Sequence, residues 1–185
     1  MHRKSLILTF SATSLSILVY LFRPKRAQAP VIQKNSSTYP GSSILIQPGD
    51  LLFSPIGKRE SKFIGHVGIV NHQKEVVHSI PAGLTKDNVF NYYQKFRSIK
   101  IYRPRSPEIG ISAGDYVQNL YNDYSNADYR IMPPLVTASH QQYCTKIVWQ
   151  AYYFGAGVNL GDFNGSAKAI HPELLKDRRF LRLVL

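Results

Sequence analysis

The sequence predicts an α+β domain: a small antiparallel sheet or barrel with a cysteine-bearing helix packed against it. Three observations lead there. Short apolar runs bounded by turn residues recur at Gly49–Phe53, Ile64–Val70, Glu75–Ile80 and Ser98–Tyr102, the pattern of strands. Two of them flank a polar stretch, Asn71-His72-Gln73-Lys74, and so read as a hairpin. After Tyr143 the period changes, and Cys144, Ile147, Val148, Ala151 and Tyr152 fall at the spacing of a helix with one face on a core. A chain of 185 residues is long enough for one domain with a sizeable core.

In chain order, Gly49-Asp50-Leu51-Leu52-Phe53 gives the first strand and the hairpin the next two. A loop of Asn71 to Gln73 places Val70 opposite Lys74 and His66 directly opposite His78, on one face with Cβ atoms about 4.5–5.5 Å apart. A four-residue loop instead turns His78 to the other face. Asp87 is a cap for a short helix whose stripe is Val89, Tyr92, Tyr93 and Phe96. Ser98–Tyr102 follows as a strand. Ile109, Ala113, Tyr116, Val117 and Leu120 mark a second helix despite Gly110 and Gly114. The segment Tyr121–Ser139, with Tyr124, Tyr129, Pro133 and Pro134, reads either as a packed connector or as one wall of a substrate cleft leading to Cys144. The glycines at 155, 157 and 161 read as the stop of the cysteine helix.

Cys144 is the chain's single cysteine, so it forms no internal disulfide. A lone cysteine with histidines elsewhere is a nucleophile arrangement, although free cysteine also packs as a small hydrophobe. His72, on the turn, reads as an ordinary surface histidine. Zinc held by His66, His72, His78 and Cys144 is the rival for the same atoms, but spacings of six lack the close ligand pairs of structural zinc sites. No metal or other cofactor is expected, and no phosphate or dinucleotide loop occurs.

The segments Gly49-Asp50-Leu51-Leu52-Phe53, His66-Val67-Gly68-Ile69-Val70, Val77-His78-Ser79 and Tyr143-Cys144-Thr145-Lys146-Ile147-Val148 resemble the YiiX/YebB-like, circularly permuted branch of the NlpC-type papain-like cysteine hydrolases. In most of that superfamily the cysteine helix precedes the "HVGI" strand; here it follows. The resemblance runs from about Gly49 to Leu185 and includes Tyr102-Arg103-Pro104 and Pro172-Glu173-Leu174-Leu175. It implies a papain-like fold, with Cys144 as nucleophile, His66 as base and His78 as the third, orienting residue. Relatives in that branch often carry an acidic residue in the third position, where this chain has His78.

The chemistry agrees with that assignment. A thiol with pKa near 8.5 is mostly protonated at neutral pH until an imidazolium or a helix N-terminus lowers it, and the charge on His66 is expected to do so. Ser139 with Gln142 could form a capping box; a helix start at Tyr143 would instead put the sulfur in the strongest dipole field. A third residue on the other ring nitrogen fixes the tautomer of His66. Amide N–H groups near Cys144 are candidates for an oxyanion site.

Ser5–Phe22 is an uncharged stretch flanked by Arg3-Lys4 and Arg23-Pro24-Lys25-Arg26, long enough for a membrane span. Residues 1–29 therefore read as a membrane anchor or a signal peptide, the latter because Ala27-Gln28-Ala29 has the small-x-small form; the anchor is favoured, with the domain outside the membrane or secreted. Residues 30–48 read as a tether and 49–185 as the hydrolase domain. Five of the 23 basic residues and none of the 11 acidic ones lie in the first 29 positions, leaving +7 of the net +12 on the remainder. That balance favours anionic surfaces such as lipid headgroups or wall polymers, and no motif supports a nucleic-acid partner. The expected activity is cleavage of an amide or acyl bond through a covalent acyl-enzyme, with peptidoglycan peptide as first substrate. An acyltransferase or lipid amidase resembling lecithin retinol acyltransferase, or a non-catalytic envelope-binding module, is the alternative.

Overall fold

The computed structural model of the protein describes residues 37–55, 65–137 and 139–185. The expected anchor at Ser5–Phe22 lies outside them. Among the described residues no helix is long and apolar enough to cross a membrane.

Six antiparallel strands form one sheet in the order β4-β3-β2-β1-β5-β8: Leu51–Ser54 (β1), His66–Val70 (β2), Glu75–Ile80 (β3), Gly83–Asn88 (β4), Lys100–Pro104 (β5) and Leu181–Leu183 (β8). A separate parallel pair joins β6 (Asp128–Tyr129) to β7 (Gln141–Gln142). The helices are α1 (Val89–Lys95), α2 (Pro107–Tyr124) and α3 (Cys144–Gln150), the last running on into a π-helical turn at Ala151–Gly155. Strand alternation divides the apolar residues between two cores. Leu51, Phe53, Val67, Ile69 and Val77 pack with Val117, Ile147, Val148 and Trp149 of the long helices. Leu52, Val70, Val76 and Ile101 pack with Val89, Tyr92 and Phe96 around α1. The α+β sheet with its cysteine helix is therefore the architecture that the sequence predicts.

The hairpin register differs from the expectation. Val70 lies opposite Val76 and Ile69 opposite Val77, and Asn71 N–H donates to the Glu75 carbonyl at 2.9 Å. The loop is thus His72–Lys74, not Asn71–Gln73. Asn71 shifts it: its Oδ1 accepts from Glu75 N at 2.8 Å, and Lys74 takes the left-handed φ of 60° that closes the turn. The slip moves His66 one diagonal step from His78 but keeps both on one face, because the side-chain period is two.

Other elements also depart from the reading. The cap of α1 is Asn88, whose side chain accepts from Asn91 N; Asp87 belongs to β4 and lies opposite Val76. Strand β4, Gly-Leu-Thr-Lys-Asp-Asn, is too polar to show in the sequence and forms by pairing along all of β3. Part of the expected tether is built into the domain, since Tyr39 and Ile46 are buried in the α1-side core. The expected connector Tyr121–Ser139 contains the end of α2 and all of β6.

Gly110 and Gly114, which weaken α2 as a helix, sit where it crosses the chain before β1. A Cβ on Gly110 would lie 2.6 Å from the Pro48 carbonyl oxygen, and one on Gly49, at φ 79°, 2.4 Å from Gly110 Cα. Beside this crossing Asp50 is fully buried. Its carboxylate accepts from Arg103 Nε and Nη2, each at 2.8 Å, from the Tyr39 hydroxyl at 2.7 Å and from Gln47 N at 3.1 Å. Breaking a buried pair by removing one partner leaves the other charge uncompensated. Asp50→Ala is accordingly expected to cost about 3–5 kcal/mol in urea denaturation, and a loss under 1 kcal/mol would show that the pair is not what ties the chain before β1 to β5.

Candidate active site

Tyr143 is the extended N-cap of α3 (φ −143°, ψ 161°), so Cys144 is the helix's first residue. This decides between the two expected starts: Gln142 lies on β7, and its Nε2 donates to the Ser139 carbonyl, so Ser139 and Gln142 form no capping box. Cys144 is 6% exposed. Its sulfur lies 3.8 Å from Thr145 Oγ1, and the backbone N–H groups of Val67, Thr145 and Cys144 face it. First-turn amides lack intrahelical acceptors, so they are free to serve a negative sulfur or oxygen. Burial nevertheless wins and pushes the thiol up, against the opposing pull of Thr145 and these amides. The expectation of a thiol depressed by His66 is therefore corrected.

His66, first in β2, and His78, in the middle of β3, meet through the diagonal register. His66 Nε2 lies 3.1 Å from His78 Nδ1. Gly68, between them on the same face, leaves the space that the Tyr92 ring fills; a Cβ there would lie 3.1 Å from Tyr92 Cε2 and 2.5 Å from Val76 Cγ1. Phe96 stacks on His66 with ring centres 4.3 Å apart and an 8° tilt. In this apolar box burial, and then the neighbouring His78, hold the His66 imidazole well below its usual pKa. The ring is therefore neutral at physiological pH.

The chain of polar contacts continues past the pair. His78 Nε2 lies 2.8 Å from Asp87 Oδ2, and Lys95 Nζ donates to both Asp87 oxygens at 2.8 Å. Burial raises the Asp87 carboxyl, but the bonds from His78 and Lys95 outweigh it and hold the group below its usual value. Asp87 escaped the sequence reading because it looks like a helix cap; the signal was its odd-numbered place on a strand facing His78.

The structure thus brings His66 and His78 together, and it sets Cys144 against the Val67 N–H, the peptide that follows His66. His72 stands apart, its Nε2 2.8 Å from Asp115 Oδ1. No group of three or more His, Cys, Asp or Glu among the described residues is gathered as a metal site. Tyr129, on β6 in the expected cleft wall, is half-buried, and its hydroxyl is pushed to about 12 by burial and by the nearby Cys144.

The sequence matches the model of the lipoprotein N-acylation protein LnsA-like family over residues 5–182. The chain belongs to the LnsA-like family. A solved structure similar to this LnsA-like chain is YiiX of Escherichia coli O157:H7, described as a metalloprotein, with a TM-score of 0.54 and 16% identity over 75% of this chain and 96% of that one. That likeness establishes the YiiX-like, papain-like fold. A 30.3 kDa protein of Bacillus thuringiensis is 28% identical over 125 residues, covering 60% of this chain. The match spans about half the length, 46%, of that relative.

A pH dependence of stability follows from the histidine site. The unfolded His66 takes up a proton as pH falls through about 6.5, whereas the folded ring resists it, so the unfolded state binds more protons there and stability falls with acidification. Asp87 adds to the loss only at lower pH, from the ordinary carboxylate range downward, because the unfolded carboxyl protonates there while the folded one is held lower. The melting temperature is expected to drop between pH 7.5 and 5.5. A wild-type curve flat across that interval would show that His66 is not held neutral.

Proposed function

We propose that this LnsA-like protein is a cysteine-dependent acyltransferase of the permuted papain-like class, acting in lipoprotein N-acylation. The observation that carries the reading is the position of Cys144 at the first turn of α3, its sulfur ringed by amides and one peptide away from a buried His66–His78–Asp87 chain. Cys144 is the nucleophile, His66 the base, and His78 the residue that orients it. Because burial raises the thiol and lowers the imidazole, the resting pair is thiol and neutral imidazole. His66 then works as a general base during attack, not as one half of a preformed ion pair.

In the reaction His66 takes the thiol proton as Cys144 sulfur bonds to the acyl carbonyl carbon. The amides around the sulfur stabilise the oxyanion, and the leaving group departs with the proton from His66, leaving a thioester. An amine acceptor then attacks, giving up a proton to His66; the amide forms and the thiol is restored. Water in the acceptor's place would make the enzyme a hydrolase, the outcome that the sequence alone favoured with cell-wall peptide as substrate. The family's association with lipoprotein N-acylation favours the amine. In this reading Ser5–Phe22 anchors the domain at the outer face of a membrane, and Tyr129 lines the approach to the sulfur.

The test uses p-nitrophenyl octanoate as acyl donor and an amino-terminal diacylglyceryl-cysteine peptide as acceptor. An octanoyl adduct on Cys144, released by hydroxylamine and transferred to the peptide amine, is expected in intact-mass spectra. Release to water alone, unchanged by the acceptor, would make the protein a hydrolase. An adduct on any other residue would remove the proposal.

A further inference from the structure

We propose that Asp87 is a positioning residue that sets the tautomers of both histidines, so that His66 presents a bare Nδ1 to the thiol proton. The inference rests on the assignment of Cys144 and His66 above and adds a residue to it. A carboxylate can only accept hydrogen bonds. Asp87 Oδ2, 2.8 Å from His78 Nε2, therefore fixes the proton of His78 on Nε2. Within this proposal His78 is neutral, so its bare Nδ1 accepts across the 3.1 Å contact from His66 Nε2; an imidazolium at position 78 would donate instead and overturn the proposal. His66, kept neutral by its apolar box, carries its one proton on Nε2, and Nδ1 is left as the base. One carboxylate thus dictates the proton position on two rings in series.

Lys95 makes the arrangement directional. It bonds both Asp87 oxygens at 2.8 Å, so Asp87 Oδ1 is held by Lys95 while Oδ2 is shared with His78. In Asp87→Asn the lysine, a pure donor, keeps the amide oxygen and turns the amide N–H₂ toward His78. His78 Nε2 must then accept, its proton moves to Nδ1, and that N–H donates to His66 Nε2. The proton of His66 is forced onto Nδ1, the nitrogen needed as base. The isosteric change inverts the whole chain while giving up one of the two Lys95 bonds, that to Oδ2.

Long-range ¹H–¹⁵N correlation spectra of ¹⁵N-histidine-labelled full-length protein at pH 7.5 read this directly. In wild type His66 and His78 are both expected as the Nε2–H tautomer; in Asp87→Asn both are expected as Nδ1–H. With p-nitrophenyl octanoate, Asp87→Asn should lower kcat by about 10²- to 10⁴-fold with KM within a factor of three, and Asp87→Glu should recover part of the loss. An Nδ1–H tautomer in the wild-type protein overturns the proposal whether or not the variant folds. So does an Asp87→Asn enzyme with unchanged tautomers or unchanged kcat. If Cys144→Ala were to stay active, the enzyme assignment would fail while the tautomer pattern could still be read, which separates the two.

Discussion

Cys144→Ala will lower turnover of p-nitrophenyl octanoate by about 10⁴-fold or more, because removing the nucleophile of a group that acts as a unit leaves only binding and oxyanion stabilisation. The fold should survive. Alanine deletes one sulfur atom whose side-chain polar contact is a 3.8 Å approach to Thr145 Oγ1, and a small truncation of this kind costs about 1 kcal/mol. Cys144→Ser is not expected to rescue activity, since a hydroxyl is far less acidic than a thiol and His66 here has no carboxylate directly on its ring to make it a stronger base. Burst-phase release of p-nitrophenol separates the acylation step from later transfer. A Cys144→Ala protein that keeps a tenth of the wild-type rate would place the nucleophile elsewhere.

The helix of Cys144 was legible because its apolar stripe is strong, and the four expected strands were legible from short β-branched and aromatic runs. Parity carried the histidine pair through a register error: Asn71 moved the loop by one residue, yet two even-numbered positions stayed on one face. What the sequence hid was set by tertiary pairing. Strand β4 contains Thr-Lys-Asp-Asn and is held in place by β3 alone among the strands of its sheet, so no propensity announces it, and Asp87 vanished with it. The acidity of Cys144 was misread for a related reason. Sequence shows which charges lie nearby but not how deeply the sulfur is buried, and burial is the larger influence on this thiol. The same depth explains the neutral His66, boxed in by Tyr92 and Phe96 from a helix whose position the hairpin alone does not fix.

His66→Ala is expected to reduce kcat by about 10²- to 10⁴-fold, the usual contribution of general acid–base catalysis, with no other group proposed to move the proton. His78→Ala should cost less in rate, since it removes orientation but leaves the base, yet more in stability, because Asp87 and His66 both lose a buried partner. Glutamate alone at position 78 is not the informative replacement. A carboxylate there could accept from His66 Nε2, as in relatives with an acidic third residue, but it would stand against Asp87, whose oxygen lies 2.8 Å from the native ring, and two carboxylates so close disfavour both ionising. His78→Glu alone should therefore be no better than His78→Ala, whereas His78→Glu combined with Asp87→Asn, which offers the new carboxylate an amide donor, should regain activity over either single variant. Alkylation of Cys144 by iodoacetamide supplies the companion measurement: its rate should rise with pH through and above about 8.5, as for a protonated thiol beside a neutral imidazole. A plateau of high reactivity already present at pH 6 and abolished by His66→Ala would mean that thiolate and imidazolium are preformed, and would overturn the general-base mechanism.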